Sequence, residues 1–353
     1  MKVATDHANT KKQRSDTLPT VIASSVIRST QKGESHGGVY IVNLETSEMR
    51  QILDWDDPTI SWKGRGADRG LRGIAIHGER VYLAASDEVF VFNTEFQLVE
   101  SFTNPYLKHC HEIDIHDGRL YLTSTGFDSI LEVDLESHEF VRGVTFRMES
   151  AKEFACRVLK KTPVQSFRVQ PNVTTFDPNS EHGPEEGDQL HINSVVVNGD
   201  GMHISGRILG ALLHVQDGRI TGASPTPFGT HNVIPVQGER SQGHVILNDT
   251  DRDAVSVIDE QGRCVRSLPL VRYDQQDLRY SALPEDHARQ AFGRGLCLVG
   301  SDIVVVGSSP ATITAYSLSK HARLCSVNLT MDVRNAIHGL TLWPFEEPDT
   351  DLV

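Results

Sequence analysis

A four-strand pattern that repeats along the chain restricts the fold more than any other feature of the sequence. Each copy begins with a short strand in which apolar and polar residues alternate, turns tightly, and continues through further apolar strands. The clearest copy opens at Ile113, turns at Asp117-Gly118 and returns through Leu120. Six copies can be placed, and they begin at Val21, Ile74, Ile113, Val195, Val233 and Leu296.

The two ends of the chain complement each other. The N-terminal copy is one strand short, and residues 339–343 form a leftover strand that matches the first strand of a copy. Units of ~40 residues that close in this way predict an all-β fold, a six-bladed β-propeller closed by its N- and C-terminal strands. Closure leaves no exposed sheet edge at the joint. A seventh blade within residues 148–188 is the alternative, although that region lacks alternating strands.

We therefore expect a single propeller domain over residues 18–345, between a disordered N-terminal tail (1–17) and an acidic C-terminal tail (346–353). Two loop insertions interrupt it, at about 148–188 and 273–292. The first is predicted to contain a short helix around 150–159, followed by a loop rich in Pro, Asn and Gly. Loops of this length in compact folds commonly serve as lids or binding loops.

Charge and cysteine content narrow the classes of partner and compartment. The formal net charge is -13, and no Lys/Arg cluster is visible beyond residues 11–14, which argues against nucleic acid and against an anionic membrane surface. Five cysteines without a CxxC pair favour a reducing compartment. The sequence shows no secretory signal and no apolar run of the ~20 residues that a membrane helix needs. We expect a cytoplasmic protein, and the oligomeric state stays open.

This repeat architecture resembles the six-bladed propeller class that includes strictosidine-synthase-like, gluconolactonase-like and NHL-repeat proteins. The resemblance covers most of the chain, but it rests on architecture, because no catalytic signature of a particular family matches. Propellers carry hydrolases, oxygenases, lyases and binding scaffolds, so the resemblance implies a fold and not a reaction.

Residues at the start of each blade's first strand are predicted to form a ring at one mouth of the central channel. Histidines occupy this position in blades one, three and five, and alternate blades of a six-fold ring are related by roughly three-fold symmetry. The ring positions, from blade two to blade six and then blade one, are Arg72, His111, Asn193, His231, Arg294 and His338.

Three imidazoles that converge on the axis are a recognised ligand set for Zn, Fe or Cu. We therefore predict a divalent transition metal (Fe, Zn or Cu) held by His111, His231 and His338. His191 would be a fourth ligand if the first strand of blade four starts early. The alternatives are a metal-free polar site built from the same residues, and purely structural roles for the histidines.

Three further residues are predicted to serve catalysis beside the metal. Glu112 would orient an imidazole or act as a general base, and Arg72 and Arg294 would clamp an anion. The sequence thus predicts a metal-dependent enzyme acting on an anionic small molecule or a peptide carboxylate at the channel mouth. Oxygenase, lyase, isomerase and hydrolase chemistry all remain open. The alternative function is a non-catalytic propeller that binds a peptide or another ligand.

Overall fold

The computed structural model describes residues 17–31, 33–56, 70–148, 171–236, 243–283 and 289–345, and these form six antiparallel sheets. Blade one contains β1 (Thr20–Ile27), β2 (Gly38–Asn43), β3 (Met49–Asp54) and the last strand of the chain, β25 (Asn335–Leu342). Blade two contains β4 (Ile74–His77), β5 (Arg80–Ala85), β6 (Glu88–Phe92) and β7 (Leu98–Thr103). Blade three contains β8 (Ile113–His116), β9 (Arg119–Ser124), β10 (Ser129–Asp134), β11 (Phe140–Arg147) and β12 (Asn172–Phe176).

The remaining three blades have four strands each. Blade four contains β13 (Ile192–Asn198), β14 (Gly201–Gly206), β15 (Ala211–Gln216) and β16 (Arg219–Pro225). Blade five contains β17 (Thr230–Pro235), β18 (Val245–Asp249), β19 (Ala254–Ile258) and β20 (Cys264–Pro269). Blade six contains β21 (Arg294–Val299), β22 (Ile303–Ser308), β23 (Thr312–Ser317) and β24 (Ala322–Asn328).

The innermost strands close into a ring. They contact one another in the order β25, β4, β8, β13, β17, β21 and back to β25. The joint is the antiparallel pair of β1 and β25, which aligns Val21 with Leu342 at one end and Ile27 with Asn335 at the other. The prediction of six blades closed by the two terminal strands is confirmed.

The hydrophobic core is divided among the six seams between consecutive blades. Buried side chains of blades one and six, for example, pack together around Val21 and Ile313. Each of the other seams has a cluster of its own. The smallest lies between blades four and five, where Leu212 meets Val233 and Leu247. Burial between sheets, not within one central core, therefore holds the blades around the channel.

The first insertion adds a strand that the sequence did not predict. Strand β12 pairs with β11 as a fifth, outermost strand of blade three. Its residues Asn172, Thr174 and Thr175 are exposed, and Val173 is only half-buried, so the alternation that marks the inner strands is missing. The helix predicted around residues 150–159 lies outside the described residues.

Several other predictions concern the ends and composition of the chain. Residues 1–16 and the acidic tail from 346 onward lie outside the described residues. Within the described part, Cys110, Cys264, Cys297 and Cys325 are free thiols. No helix among the described residues is long and apolar enough to cross a membrane.

Candidate functional site

The predicted ring positions coincide with a recurring irregularity of the inner strands. Pairing with the second strand shifts by one residue at Asn193 in β13, just after His231 in β17 and just after Arg294 in β21. Strand β25 shows the same shift beside His338. A β-bulge leaves one residue outside the ladder and changes the direction of its side chain. The bulge follows the ring residue in blades one, five and six, whereas in blade four the ring residue Asn193 is itself the bulged residue, so the predicted ring is shifted by one position there.

Close approach of neighbouring inner strands explains why several blades carry glycine directly after the ring residue. A Cβ atom on Gly339 would collide with the carbonyl oxygen of Arg72, and one on Gly73 would lie 2.8 Å from the amide nitrogen of Ile113. The Ser24 hydroxyl donates to the Arg72 carbonyl and accepts the Gly339 amide at 2.9 Å. Blades one and two are thus locked together at the channel mouth.

Four histidine rings follow one another around the channel. The His338 and His111 ring centroids are 6.1 Å apart, His111 and His191 are 5.3 Å apart, and His191 and His231 are 6.4 Å apart. His191 immediately precedes β13 and therefore stands between His111 and His231. The structure brings the four predicted histidines together as a chain of neighbours.

Hydrogen bonds made by Nδ1 determine the tautomer of three of these rings. Nδ1 of His111 donates to the His109 carbonyl at 2.8 Å, and Nδ1 of His231 donates to the Gly229 carbonyl at 3.1 Å. Nδ1 of His191 lies 2.9 Å from the Asp188 carboxylate. In the neutral form of such a ring, Nε2 is then the acceptor. For His111 this Nε2 lies 3.4 Å from Nη1 of Arg72.

Burial and positive neighbours favour the neutral form of His111, His231 and His338. Burial lowers the pKa of His111 well below its ordinary value, and the Arg72 guanidinium and the adjacent rings lower it further. Burial and Arg294 have the same effect on the pKa values of His231 and His338. Neutral imidazoles can accept a proton or a hydrogen bond from a bound molecule.

Arg294 is buried beside an aromatic ring and faces other positive charges. Its guanidinium carbon lies 4.2 Å from the ring centroid of Phe292, and those of Arg28 and Arg289 lie at 4.9 and 5.3 Å. Burial lowers the pKa of Arg294 well below its ordinary value, and Arg28, Arg207 and Arg72 add to this effect. In a protein of net charge -13, this is a local concentration of positive charge.

Glu112 is the carboxylic acid that faces this positive cluster. Burial raises its pKa to about 8, against the opposing effects of a hydrogen bond from Asn232 and the charge of Arg294. The amide of Asn232 is oriented by Asn248, whose Nδ2 donates to the Asn232 Oδ1 at 3.0 Å and to the Gly295 carbonyl at 3.2 Å. Glu112 therefore carries its proton near neutral pH and can donate it.

A buried carboxylate behind the ring holds the turn that carries His191. Asp128 accepts hydrogen bonds from the backbone amides of Gln189 at 2.6 Å and Leu190 at 3.0 Å. Burial raises the pKa of Asp128 to about 6. The stretch before this turn packs along the rim, where the Tyr106 hydroxyl donates to the Ser180 carbonyl at 2.9 Å and accepts the Gly183 amide at 2.7 Å. The described part of the first insertion, residues 171–188, is thus held beside the mouth by hydrogen bonds.

All seven predicted site residues contribute to this one region: Arg72, His111, Glu112, His191, His231, Arg294 and His338. Among the described residues, no group of three or more His, Cys, Asp or Glu side chains is placed to hold a metal ion. The transition-metal site stays a prediction. Sequence reasoning missed Phe292, which lies in the second insertion, and Asn232, which follows His231 and adopts a left-handed backbone with φ of 45°.

Comparisons with known proteins agree with this fold and go no further. No protein-family model matches the chain, and no curated protein matches it in sequence. A Bacteroides caccae protein of unknown function superposes with a TM-score of 0.52 at 11% identity, covering 92% of this chain and 98% of that one. A chain of a nidogen/laminin complex gives a TM-score of 0.52 at 10% identity, covering 91% and 97%.

Apo AztD from Citrobacter koseri gives a TM-score of 0.47 at 9% identity and covers 92% of this chain and 98% of that one. Likeness at this level of identity concerns the fold alone. Six sheets, a ring of inner strands and closure by the two termini identify the chain as a six-bladed β-propeller.

Proposed function

We propose that the protein binds a small anionic molecule at the mouth of its propeller channel. One observation carries the proposal: Arg294 is only 7% exposed, and its Nε and Nη1 have no hydrogen-bond partner among the described residues. Desolvating a guanidinium without a partner costs several kcal/mol, by an order-of-magnitude estimate of about 3 to 5. An anion that accepts from both nitrogens offsets this cost.

Arginines in other parts of the described chain have carboxylate partners. Arg252 pairs with Asp249 at 2.6 Å, and Arg334 pairs with Asp332 at 2.8 Å. Within the described ranges, no carboxylate forms an ion pair with Arg294. The contrast supports a binding role, because a structural arginine at this depth would be expected to have a carboxylate of its own.

The same mouth has the groups that acid–base catalysis requires. Glu112 holds a proton near neutral pH, and the neutral ring of His231 presents an acceptor nitrogen without a donor among the described residues. A proton donor and a proton acceptor around a bound anion suit a proton-transfer step such as that of an isomerase, a lyase or a hydrolase. We propose an enzyme of this type, and a non-catalytic ligand-binding propeller is the alternative.

Metal dependence is a second candidate, and a specific arrangement favours it. Nδ1 of His111, His191 and His231 is held by a carbonyl or a carboxylate, which is the usual support for an imidazole that binds metal through Nε2. The nearby guanidinium groups of Arg72 and Arg294 oppose a cation by charge. We therefore propose anion binding as the main function and metal dependence as the second candidate.

Binding of simple anions to the variant Arg294→Gln tests the proposal. Titration calorimetry at low ionic strength with inorganic phosphate, and separately with propionate, is expected to show saturable binding to the unaltered protein. Arg294→Gln should weaken it about 100-fold, because a charged hydrogen-bond pair contributes about 3 kcal/mol. Arg219→Gln is the matched control, since Arg219 is exposed on the outer strand β16 and its loss changes the net charge equally.

Equal weakening by the two variants would attribute the effect to net charge and contradict a site at Arg294. Elemental analysis of protein purified without an affinity tag decides the metal question. Near-stoichiometric Fe, Zn or Cu that disappears in His111→Ala would favour the metal-dependent enzyme. Metal-free protein that binds phosphate would leave the anion site as the working function.

A further inference from the structure

Two buried acceptor atoms at the channel mouth have no donor among the described residues. His231 is 2% exposed, and because its Nδ1 donates to the Gly229 carbonyl, its Nε2 is the unpartnered acceptor. Asn193 is 1% exposed, and because its Nδ2 donates to the Thr230 carbonyl at 3.4 Å, its Oδ1 is left over. Buried acceptors of this kind are normally satisfied, so each indicates a missing donor.

These acceptors belong to the same part of the mouth as the unpartnered donors of Arg294. The bond from Asn193 to the Thr230 carbonyl places Asn193 next to the backbone of His231. His231 and Arg294 both contact Phe292, with centroid distances of 6.0 Å from the imidazole and 4.2 Å from the guanidinium carbon. The three residues come from the consecutive blades four, five and six. An unsatisfied acceptor of His231 and unsatisfied cationic donors of Arg294 therefore belong to side chains that border the same aromatic ring, and Asn193 neighbours the backbone of His231.

We propose that the anion bound here is a hydroxy carboxylate, whose carboxylate accepts from Arg294 and whose hydroxyl donates to His231 Nε2 or Asn193 Oδ1. This inference rests on the proposed anion site and adds the chemical class of its ligand. A plain carboxylate would satisfy the guanidinium and leave both acceptors without a donor, whereas the hydroxyl of a hydroxy carboxylate supplies a donor to one of them. A ligand without negative charge would satisfy the acceptors and leave the guanidinium uncompensated.

A pair of ligands that differ only by the hydroxyl tests the inference. Lactate and propionate have the same carbon skeleton and carboxylate, and both enantiomers of lactate are titrated because the two acceptors lie on different blades. The unaltered protein is expected to bind one enantiomer at least about tenfold more tightly than propionate, since the deoxy ligand leaves a buried acceptor unpaired. The titrations are run with and without a chelator, because hydroxy carboxylates also bind metals.

Two variants locate the hydroxyl. His231→Phe removes one of the two acceptors and keeps a ring of similar size, and Asn193→Leu removes the other. The variant that removes the acceptor used by the hydroxyl should bind lactate and propionate equally, and the other variant should keep a preference for lactate. Thermal unfolding followed by circular dichroism confirms that each variant is folded before titration.

The outcomes separate this inference from the proposed function. Equal binding of lactate and propionate to the unaltered protein overturns the hydroxy-carboxylate ligand and leaves the anion site standing. Binding of neither, together with no binding of phosphate, overturns both. A preference for lactate that persists in both folded variants, or that the chelator abolishes, also refutes recognition by His231 and Asn193.

Discussion

Replacing Glu112 by glutamine is expected to change how the stability of the fold depends on pH. Burial raises the pKa of Glu112 to about 8, from an ordinary value of 4.5. The unfolded chain therefore loses this proton at a lower pH than the folded protein does. Stability is unaffected below about pH 4.5, falls as pH rises from there to about 8, and is constant above that. The variant Glu112→Gln has no proton to lose and should not show this decline.

The size of the effect follows from the shift. Each pH unit between the two pKa values costs about 1.4 kcal/mol, so the full penalty is on the order of 5 kcal/mol. Between about pH 7 and about pH 8.5 the decline amounts to about 1 kcal/mol, because Glu112 ionises in the folded protein near the upper end. Glu112→Gln should lose about 1 kcal/mol less than the unaltered protein over that interval.

The interval is chosen so that other buried groups contribute little. His111, His231 and His338 have lowered pKa values, so they make stability rise with pH only up to their ordinary value of 6.5. The pKa of Asp128 is raised to about 6, so its effect on stability no longer changes with pH once the pH has reached 7. Burial raises the pKa of the Cys110 thiol to about 12, which matters only as pH approaches its ordinary value of 9.0.

Urea denaturation followed by tryptophan fluorescence measures the free energy of unfolding at several pH values in this interval. The comparison uses the difference between the unaltered protein and Glu112→Gln, so contributions common to both cancel. Parallel curves for the two proteins from about pH 7 to about pH 8.5 would refute a protonated Glu112. They would also remove it as a proton donor near neutral pH.

Three further variants test the supporting structure. Gly339→Ala forces a Cβ against the Arg72 carbonyl, and calorimetric titration with phosphate should show weaker binding as well as a lowered Tm. Asp128→Asn loses the charged acceptor of two backbone amides, and urea titration should show a loss of about 1 to 3 kcal/mol. Leu247→Ala, in the smallest seam, should cost about 2 to 5 kcal/mol in the same assay. Unchanged stability in any of the three would contradict the packing or hydrogen bonding described here.

The fold could be predicted from the sequence because each blade repeats a local pattern. Alternating strands such as β8 and β9 pack one face into a seam, and the tight turn between them fixes their register. Strand β12 escaped prediction because it lies at the outer edge of blade three, where its two partly buried apolar residues, Val173 and Phe176, are three positions apart and break the two-residue period of a strand. Such a strand leaves no periodic signature in its side chains.

The sequence was enough to predict which residues form the site, but not how they are positioned relative to one another. One aligned position per blade identifies His111, His231 and His338, since the ring repeats. The position of His191 between His111 and His231 depends on Asp128 of blade three, which accepts the backbone amides just before blade four. The position of Phe292 depends on how the second insertion packs against Arg294. The ionisation of Glu112 likewise depends on burial against distant blades. Such contacts between remote segments have no period in the sequence.

Closure of the ring by β25 links the assembly of the site to completion of the chain. His338 lies on this last strand, and it meets His111 of blade three only after β25 has paired with β1. A nascent or truncated chain that lacks the strand therefore has an open mouth without one of its ring residues. A ligand that binds only the closed mouth would stabilise the pairing of β1 with β25, because forms in which these strands have separated do not bind it. The concentration of such a ligand would then set how firmly the two terminal strands stay paired.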